Sequence, residues 1–209
     1  MKIVGVYTLP TLTHHFLINK YTIMKVSILL MATLLTAGSV FSQTKTVSGA
    51  TFKSQMDVKG TKLVFNGAGV REKYTIDLYV AALYLPNQSM NSTSVINANE
   101  TQVINLKIVS DKVTKEKFNA TVKEGFAKVS EGKASASNIS KFTGFFSDQL
   151  KKGDDILIIY KPGKGTAVMI NGAYKGLVEG IEFKKALYSI WLGATPADKK
   201  LKSKMLGKV

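Results

Sequence analysis

Cysteine is absent from this chain of 209 residues, and histidine occurs only twice, as the adjacent pair His14 and His15. Without cysteine the chain has no disulfide framework, no thiolate ligand for zinc or iron–sulfur clusters, and no thiol nucleophile. Proline is also sparse, with four residues. The remaining composition is 45% apolar and 9% aromatic, which is typical of a globular protein. The length suits one domain with an appended segment.

Both histidines lie in an N-terminal segment that has the features of a secretory leader. Met24 and Lys25 open a second, start-like region, and the run that follows is apolar up to Val40. Small residues precede a possible cleavage site before Gln43, and the run is short for a transmembrane helix. An uncleaved membrane anchor is the alternative. The predicted division is residues 1–23 as an upstream extension or long n-region, 24–42 as a signal peptide, and 43–209 as the folded domain.

We therefore expect a periplasmic or secreted protein. The leader holds three of the 29 basic residues and no acid, so 26 basic and 14 acidic residues remain, a net charge of +12. The folded domain has no histidine, which excludes Ser-His-Asp hydrolysis, histidine-ligated zinc and histidine-ligated haem. No cofactor and no metal are expected. The basic residues are spread without an aromatic-interleaved motif, so no nucleic-acid partner is predicted. Weak attraction to anionic lipid headgroups remains open, as does the oligomeric state.

The order of the predicted elements favours an α+β fold. Strands come first, then two helices, a three-strand meander around Asn171-Gly172, and one or two helices. Residues 74–85 are apolar on both alternating faces, which predicts a strand covered on both sides, with Leu78 and Tyr79 on opposite faces. Residues 87–99 are predicted as a loop. Hairpins in place of βαβ units indicate an antiparallel sheet with helices on one face.

Helix ends provide further predictions. Thr114 is a candidate N-cap for a helix with Phe118, Val122 and Phe126 at helical spacing. The tetrapeptide Thr195-Pro196-Ala197-Asp198 predicts the start of a last helix, with Thr195 as its N-cap and Asp198 at the third position.

Two features look like chemistry. Gly67-Ala68-Gly69 resembles the beginning of a dinucleotide fingerprint, but position 72 is Glu and a strand follows, so nucleotide binding is not predicted. Arg71 comes directly after this stretch and before the apolar strand. An arginine near a core is either paired or faces a cleft. An internal ion pair with Glu72 or Asp77 and a fixed guanidinium for a ligand carboxylate or phenolate both remain open.

The sequence resembles the chalcone isomerase-like family, closest to its bacterial, exported branch. The resemblance rests on two segments, residues 66–86 (NGAGVREKYTIDLYVAALYLP) and residues 160–207 (YKPGKGTAVMINGAYKGLVEGIEFKKALYSIWLGATPADKKLKSKMLG). It implies an open-faced β-sandwich of chalcone isomerase type, a large antiparallel sheet with helices packed on one face and a ligand cleft between them. Some members of the family close a chalcone to a flavanone, and others bind fatty acids.

The resemblance also assigns candidate ligand-binding residues. The family's active-site arginine corresponds to Arg71, which is catalytic only if the protein is an enzyme. A threonine of the true enzymes corresponds to Tyr79, and a tyrosine near the arginine is what the fatty-acid-binding branch has. The enzymes' tyrosine and asparagine fall near Thr114 and Thr121, and a late serine or threonine falls near Lys184.

Only Arg71 is kept from the catalytic set, which favours binding over catalysis. Holding a carboxylate needs an arginine, a tyrosine and an apolar cleft, whereas ring closure also needs a polarised ketone. The leading hypothesis is an exported, non-catalytic binder of a fatty acid or a similar small apolar anion. The alternatives are an intramolecular lyase of chalcone–flavanone isomerase type, acting on a phenolic enone, and a structural envelope protein.

Overall fold

The computed structural model describes residues 43–208, so the predicted extension and signal peptide lie outside the described residues. The strands of this range are β1 (Thr44–Val47), β2 (Ala50–Lys53), β3 (Gln55–Val58), β4 (Thr61–Lys73), β5 (Ile76–Leu85), β6 (Gln102–Ile108), β7 (Asp155–Lys161), β8 (Gly165–Ile170) and β9 (Ala173–Val178). The helices are α1 (Ser92–Asn97), α2 (Lys115–Lys128), α3 (Ala136–Gly144), α4 (Ile181–Leu192) and α5 (Lys199–Met205). No helix among residues 43–208 is long and apolar enough to cross a membrane.

Strands β3 to β9 form one antiparallel sheet in which the spatial order is the sequence order. Strands β1 and β2 form a separate hairpin. The predicted turn at Asn171-Gly172 joins β8 to β9, with φ values of 51° and 79°, the left-handed geometry that this residue pair favours. The prediction of an α+β fold with a large antiparallel sheet is confirmed.

Strand β5 is covered on both faces, as its sequence predicted. Ala81, Leu83 and Leu85 belong to the core beneath the helices. Val80, Ala82 and Tyr84 belong to a smaller core on the opposite face, which includes Phe52 of the β1–β2 hairpin. The Tyr84 hydroxyl donates to the Lys53 carbonyl at 2.8 Å, which ties the hairpin to the sheet.

The helices pack on one face of the sheet, where apolar spacing and caps determine their positions. Thr114 caps α2 as predicted, accepting from the Lys117 amide at 3.3 Å. Helix α4 is almost wholly buried, from Phe183 to Leu192. A set of phenylalanines from α2, the α3 region and α4 fills the space between these helices: Phe118, Phe126, Phe142, Phe146 and Phe183.

Three local predictions were wrong. Residues 87–99 are not a loop throughout, because α1 forms within them and buries Val95 and Ile96. The last helix begins after Asp198, whose carboxylate accepts from the amides of residues 200 and 201, so Asp198 and not Thr195 is its N-cap. A register shift between β4 and β5 places Leu78 on the same side of the sheet as Tyr79.

Candidate functional site

A cleft of about 420 Å³ opens between the β4–β5 hairpin, α2 and the C-terminal end of α4. Its inner walls are apolar, and most of the contributing side chains are themselves buried: Leu78, Val113, Phe118, Val122, Ile190 and Trp191. Concave, mostly apolar cavities of several hundred Å³ are the usual form of small-molecule sites. The cleft therefore has room for about a dozen groups, each the size of a water molecule.

Arg71 and Tyr79 lie side by side on the sheet wall of this cleft. They are direct cross-strand partners in the β4–β5 ladder, a position in which side chains project to the same face of the sheet. The structure therefore brings together two of the residues that the resemblance assigned to a ligand. Their roles in ligand binding remain a prediction.

The guanidinium of Arg71 is anchored through one of its terminal nitrogens. Nη1 donates to Asp198 Oδ2 at 3.2 Å and to the backbone carbonyl of Glu72 at 2.8 Å. Within residues 43–208, Nε and Nη2 donate to no acceptor, so both can donate to an anion. The ion pair with Glu72 or Asp77, one of the two alternatives left open by the sequence, does not form. The carboxylate partner is Asp198, and neither Glu72 nor Asp77 lines the cleft.

Glycines set the distance between Asp198 and Arg71. Gly67, Gly69 and Arg71 alternate on the helix-facing side of β4, and α5 crosses them closely. A Cβ on Gly67 would lie 2.9 Å from the Met205 carbonyl oxygen, and one on Gly69 would lie 2.7 Å from Lys204 Cβ. The Gly67-Ala68-Gly69 stretch is therefore the surface on which α5 packs, called here the seat of α5. This close packing brings the N-cap of α5 to Arg71.

Tyr79 is buried and hydrogen-bonded to the only tryptophan of the chain. Trp191 Nε1 donates to Tyr79 Oη at 3.1 Å, which leaves the Tyr79 O–H free to donate into the cleft. Burial raises the pKa of Tyr79 above its ordinary value of 10.0, although the Trp191 hydrogen bond and Arg71 oppose the shift. The hydroxyl is therefore protonated at neutral pH and can donate to an anion.

The two threonines suggested by resemblance lie in different environments. Thr121 lines the cleft, and its hydroxyl donates to the Lys117 carbonyl at 2.8 Å. Thr114 lies outside the cleft lining, where its hydroxyl caps α2.

Lys184 also lies outside the cleft, in a second buried cluster near the start of α4. Its ammonium donates to the carbonyls of Val95, Ile96 and Ala98 at 2.8, 2.9 and 3.0 Å. It lies 5.4 Å from the Tyr160 ring centroid and 4.8 Å from that of Tyr188. Burial lowers the pKa of Lys184 to about 7. The three acceptors and two ring faces stabilise its charged form.

Charge around the cleft is predominantly positive. Arg71, Lys73, Lys112 and Lys117 line it, with Glu124 as the acidic residue among the lining side chains. In the part of the chain that the structure describes, no group of three or more acidic side chains could hold a metal ion. The site therefore combines an apolar interior with a cationic wall and mouth, an arrangement suited to an amphiphilic anion.

Sequence reasoning missed two residues that shape this site, Asp198 and Trp191. Asp198 was predicted only as the third residue of the last helix, and Trp191 was not singled out. The chain did contain relevant signals: Asp is a preferred N-cap residue, and an indole N–H usually finds a partner when buried. Arg71 carries a further signal, because it is the only arginine among the 29 basic residues.

Comparisons with known proteins agree with this geometry. A family model described as chalcone isomerase-like matches residues 44–207. A crystal structure of an Arabidopsis thaliana fatty-acid binding protein superposes with a TM-score of 0.65 at 20% sequence identity. The superposition covers 78% of this chain and 96% of the plant protein, so the two share a fold. A search of curated proteins found no match.

Proposed function

Since the chain belongs to the chalcone isomerase-like family, we propose that it is a non-catalytic binder of a small apolar anion, with a fatty acid as the best candidate. The observation that carries the proposal is the pairing of Arg71 and Tyr79 on the wall of a cleft with an apolar interior. The anion accepts from Arg71 Nε or Nη2 and from the Tyr79 hydroxyl, while the alkyl chain contacts the inner apolar wall. The similar fold of a plant fatty-acid binding protein supports this assignment.

Energetics favour such a ligand over a purely apolar one. Each methylene that the cleft removes from water contributes about 0.8 kcal/mol, and charge-assisted hydrogen bonds contribute about 1.5–3 kcal/mol each. Because Asp198 neutralises part of the charge of Arg71, the carboxylate also benefits from the lysines at the mouth, Lys73, Lys112 and Lys117. The apolar interior and the cationic wall therefore select for molecules that carry both parts.

The alternative is an intramolecular lyase acting on a phenolic enone. That reaction needs one group for the phenolate and a second to polarise the ketone. Arg71 and Tyr79 can supply one group each, but the Thr121 hydroxyl already donates to a backbone carbonyl, and Tyr74, the remaining hydroxyl of the lining, is 86% exposed at the mouth. Binding uses the groups that are present, so it is preferred. Loss of chalcone absorbance that depends on Arg71 would support the lyase instead.

We also propose that the protein works outside the cytoplasm. The support is the leader-like sequence of residues 24–42, with its positive start and apolar run. N-terminal sequencing of protein recovered from the periplasm or medium tests it, and a mature chain that still begins upstream of residue 24 would contradict it.

Native mass spectrometry of the purified protein, followed by calorimetric titration with decanoate, tests the binding proposal. Replacement of Arg71 by Leu is expected to weaken decanoate binding by about 10- to 100-fold. Arg71→Lys, which keeps the charge but loses the planar fork, should fall between the two. Arg71→Leu also leaves the Asp198 carboxylate without its cation. As a control, Arg71→Leu is therefore compared in an Asp198→Asn background, where asparagine still caps the helix and no carboxylate is left unpaired.

The ligand provides a second control. Methyl decanoate keeps the chain and loses the charge, so its affinity should be weak and should not change in Arg71→Leu. If the wild-type protein binds neither decanoate nor longer fatty acids, or if Arg71→Leu binds them equally well, the proposal is wrong.

A further inference from the structure

The mouth of the cleft carries an exposed apolar tip. The turn between β4 and β5 consists of Tyr74 and Thr75, whose φ values of 51° and 64° are both in the left-handed region. Asn-Gly is the favoured pair for such a turn, and a β-branched residue is unusual there. Tyr74 is 86% exposed and Ile76 is 41% exposed, yet both contribute to the cleft lining. Large apolar side chains are thus presented to solvent at the entrance of the site.

Strand alternation separates charge across this hairpin. Lys73 and Ile76 are cross-strand partners and line the cleft, whereas the next pair, Glu72 and Asp77, lies outside the lining. The segment after β6 and the first turn of α2 add Lys112 and Lys117, both exposed, to the same mouth. The Lys73 ammonium lies 5.5 Å from the centroid of the Tyr74 ring. The entrance is therefore rimmed by lysines around a tyrosine and an isoleucine.

We propose that this mouth docks on an anionic lipid bilayer, so that ligand passes between the membrane and the cleft. Tyrosine is suited to the headgroup region because its ring is apolar and its hydroxyl is polar. Lysines near an anionic surface contribute about 1 kcal/mol each. The inference rests on the proposed function, because docking serves to pass an amphiphilic ligand through this mouth into the cleft.

The surface fits a bilayer better than a second copy of the chain. Two copies meeting at this mouth would bring the lysines of both rims together, and like charges repel. The described domain is also strongly basic, with a net charge of +12 for residues 43–209, so self-association is opposed over long range as well. An anionic lipid surface is complementary to both the rim and the whole domain.

Co-sedimentation with vesicles tests the proposal. The wild-type protein should bind vesicles of phosphatidylcholine mixed with phosphatidylglycerol, bind phosphatidylcholine vesicles more weakly, and dissociate as salt is added. The double variant Tyr74→Ser/Ile76→Ser should partition on the order of tenfold more weakly. Met90→Ser/Tyr174→Ser is the matched control, because these side chains are 62% and 63% exposed and lie outside the cleft lining.

The lysines provide an independent test. Lys112→Gln/Lys117→Gln should reduce binding to the anionic vesicles by roughly thirtyfold. Lys151→Gln/Lys152→Gln is the control with the same change of charge, at two exposed lysines outside the lining. Equal losses in the rim and control variants would overturn the proposal, because only the net charge would then matter. Circular dichroism melts establish that every variant is folded.

Wild-type protein separates this inference from the proposed function. Decanoate titration without vesicles reports on the cleft, and vesicle binding without decanoate reports on the mouth. Decanoate binding without vesicle binding overturns the docking inference alone. Vesicle binding that depends on the tip and rim, without decanoate binding, overturns the proposed ligand and supports docking. A dimer in light scattering that Tyr74→Ser/Ile76→Ser dissociates, with no vesicle binding, would make the mouth an interface between copies and overturn the inference.

Discussion

Near the start of α4, Lys184 lies beside Tyr160 and Tyr188, while near its end Trp191 lies beside Tyr79, the strand partner of Arg71. Each end of the helix thus combines a cation with aromatic side chains against the same sheet. At the first end, α1 closes over the cation and all three ammonium hydrogens have carbonyl acceptors. At the second end, a cleft remains and the guanidinium keeps donors for a ligand.

The difference teaches that a buried cation among aromatic rings does not by itself indicate a binding site. At the closed end the ammonium stabilises the C-terminal carbonyls of α1, where a positive charge is favoured by the helix dipole. At the open end Asp198 fixes one edge of Arg71 and leaves the other edge unused. A structural cation has used all of its N–H donors and is closed in by the protein. A cation that can recognise a ligand keeps unused N–H donors and has open space beside them.

Removal of the closed-end cation is expected to have the largest effect. Lys184→Met keeps the length of the side chain but removes the ammonium donor from the carbonyls of Ile96 and Ala98, and leaves Val95 with the Gln102 amide alone. Buried polar groups that lose a charged partner are costly, so the free energy of unfolding should fall by about 3–5 kcal/mol. Urea denaturation monitored by circular dichroism measures it.

The neighbouring residue supplies the control for this prediction. Lys185→Met removes a lysine that pairs with Glu182 at the surface, and the free energy of unfolding should change by less than about 1 kcal/mol. Loss of decanoate affinity in Lys184→Met at unchanged stability would contradict a structural role and restore the ligand-binding role that resemblance suggested.

The same variant has a signature in the pH dependence of stability. Burial lowers the folded-state pKa of Lys184 to about 7, below the ordinary value of 10.5. Between these values the unfolded chain holds a proton that the folded protein has released, so wild-type stability should rise with pH above about 7. The slope is at most about 1.4 kcal/mol per pH unit. Lys184→Met should lack this rise, and parallel pH curves would show that the ammonium stays charged.

At the open end, a substitution in the glycine stretch on which α5 packs is expected to have the next largest effect on stability. Gly67→Ala places a methyl group 2.9 Å from the Met205 carbonyl oxygen and 2.8 Å from the Gly207 amide nitrogen, both of which are backbone atoms. Such overpacking costs about 1–3 kcal/mol. It should also weaken decanoate binding, because α5 carries the Asp198 that holds Arg71. Calorimetric titration and thermal denaturation measure the two effects.

Gly144→Ala is the matched control for the seat. A Cβ at Gly144 meets no atom within 4 Å, and alanine favours helix more than glycine does, so stability should stay level or rise by up to about 1 kcal/mol. Equal effects of the two substitutions would mean that close packing of α5 does not position Asp198.

The fold was largely readable from the sequence, and the failures have local causes. A run that is apolar on both alternating faces identified β5, and the Asn-Gly pair identified the β8–β9 turn. Helix α1 was missed because six residues are too few to show a 3.6-residue period, and it is stabilised by the Asn91 cap and by burial of Val95 and Ile96. The placement of Leu78 failed because a register shift cannot be derived from alternation, which assumes regular pairing.

The site was less readable, because its parts meet through tertiary packing. Arg71 was singled out from the sequence and Tyr79 was assigned by resemblance, whereas their direct pairing depends on the register shift between β4 and β5. Asp198 is 127 residues from Arg71, and no local pattern predicts that contact. Lys184 was assigned to the ligand by resemblance, whereas its ammonium hydrogens are directed at the end of α1, a helix that the sequence did not reveal.

The smallest effects are expected when one hydroxyl is removed at each end of α4. Tyr79→Phe removes the acceptor of the Trp191 N–H and the donor proposed for the ligand, so stability should fall by about 1 kcal/mol and decanoate affinity severalfold. Tyr188→Phe removes a buried hydroxyl whose only polar contact within residues 43–208 is a weak one with the Tyr160 backbone, so stability should be unchanged or slightly higher. If Tyr188→Phe destabilises the protein as much as Tyr79→Phe, the Tyr188 hydroxyl has a partner, such as a buried water, and the closed end is a hydrated polar cluster.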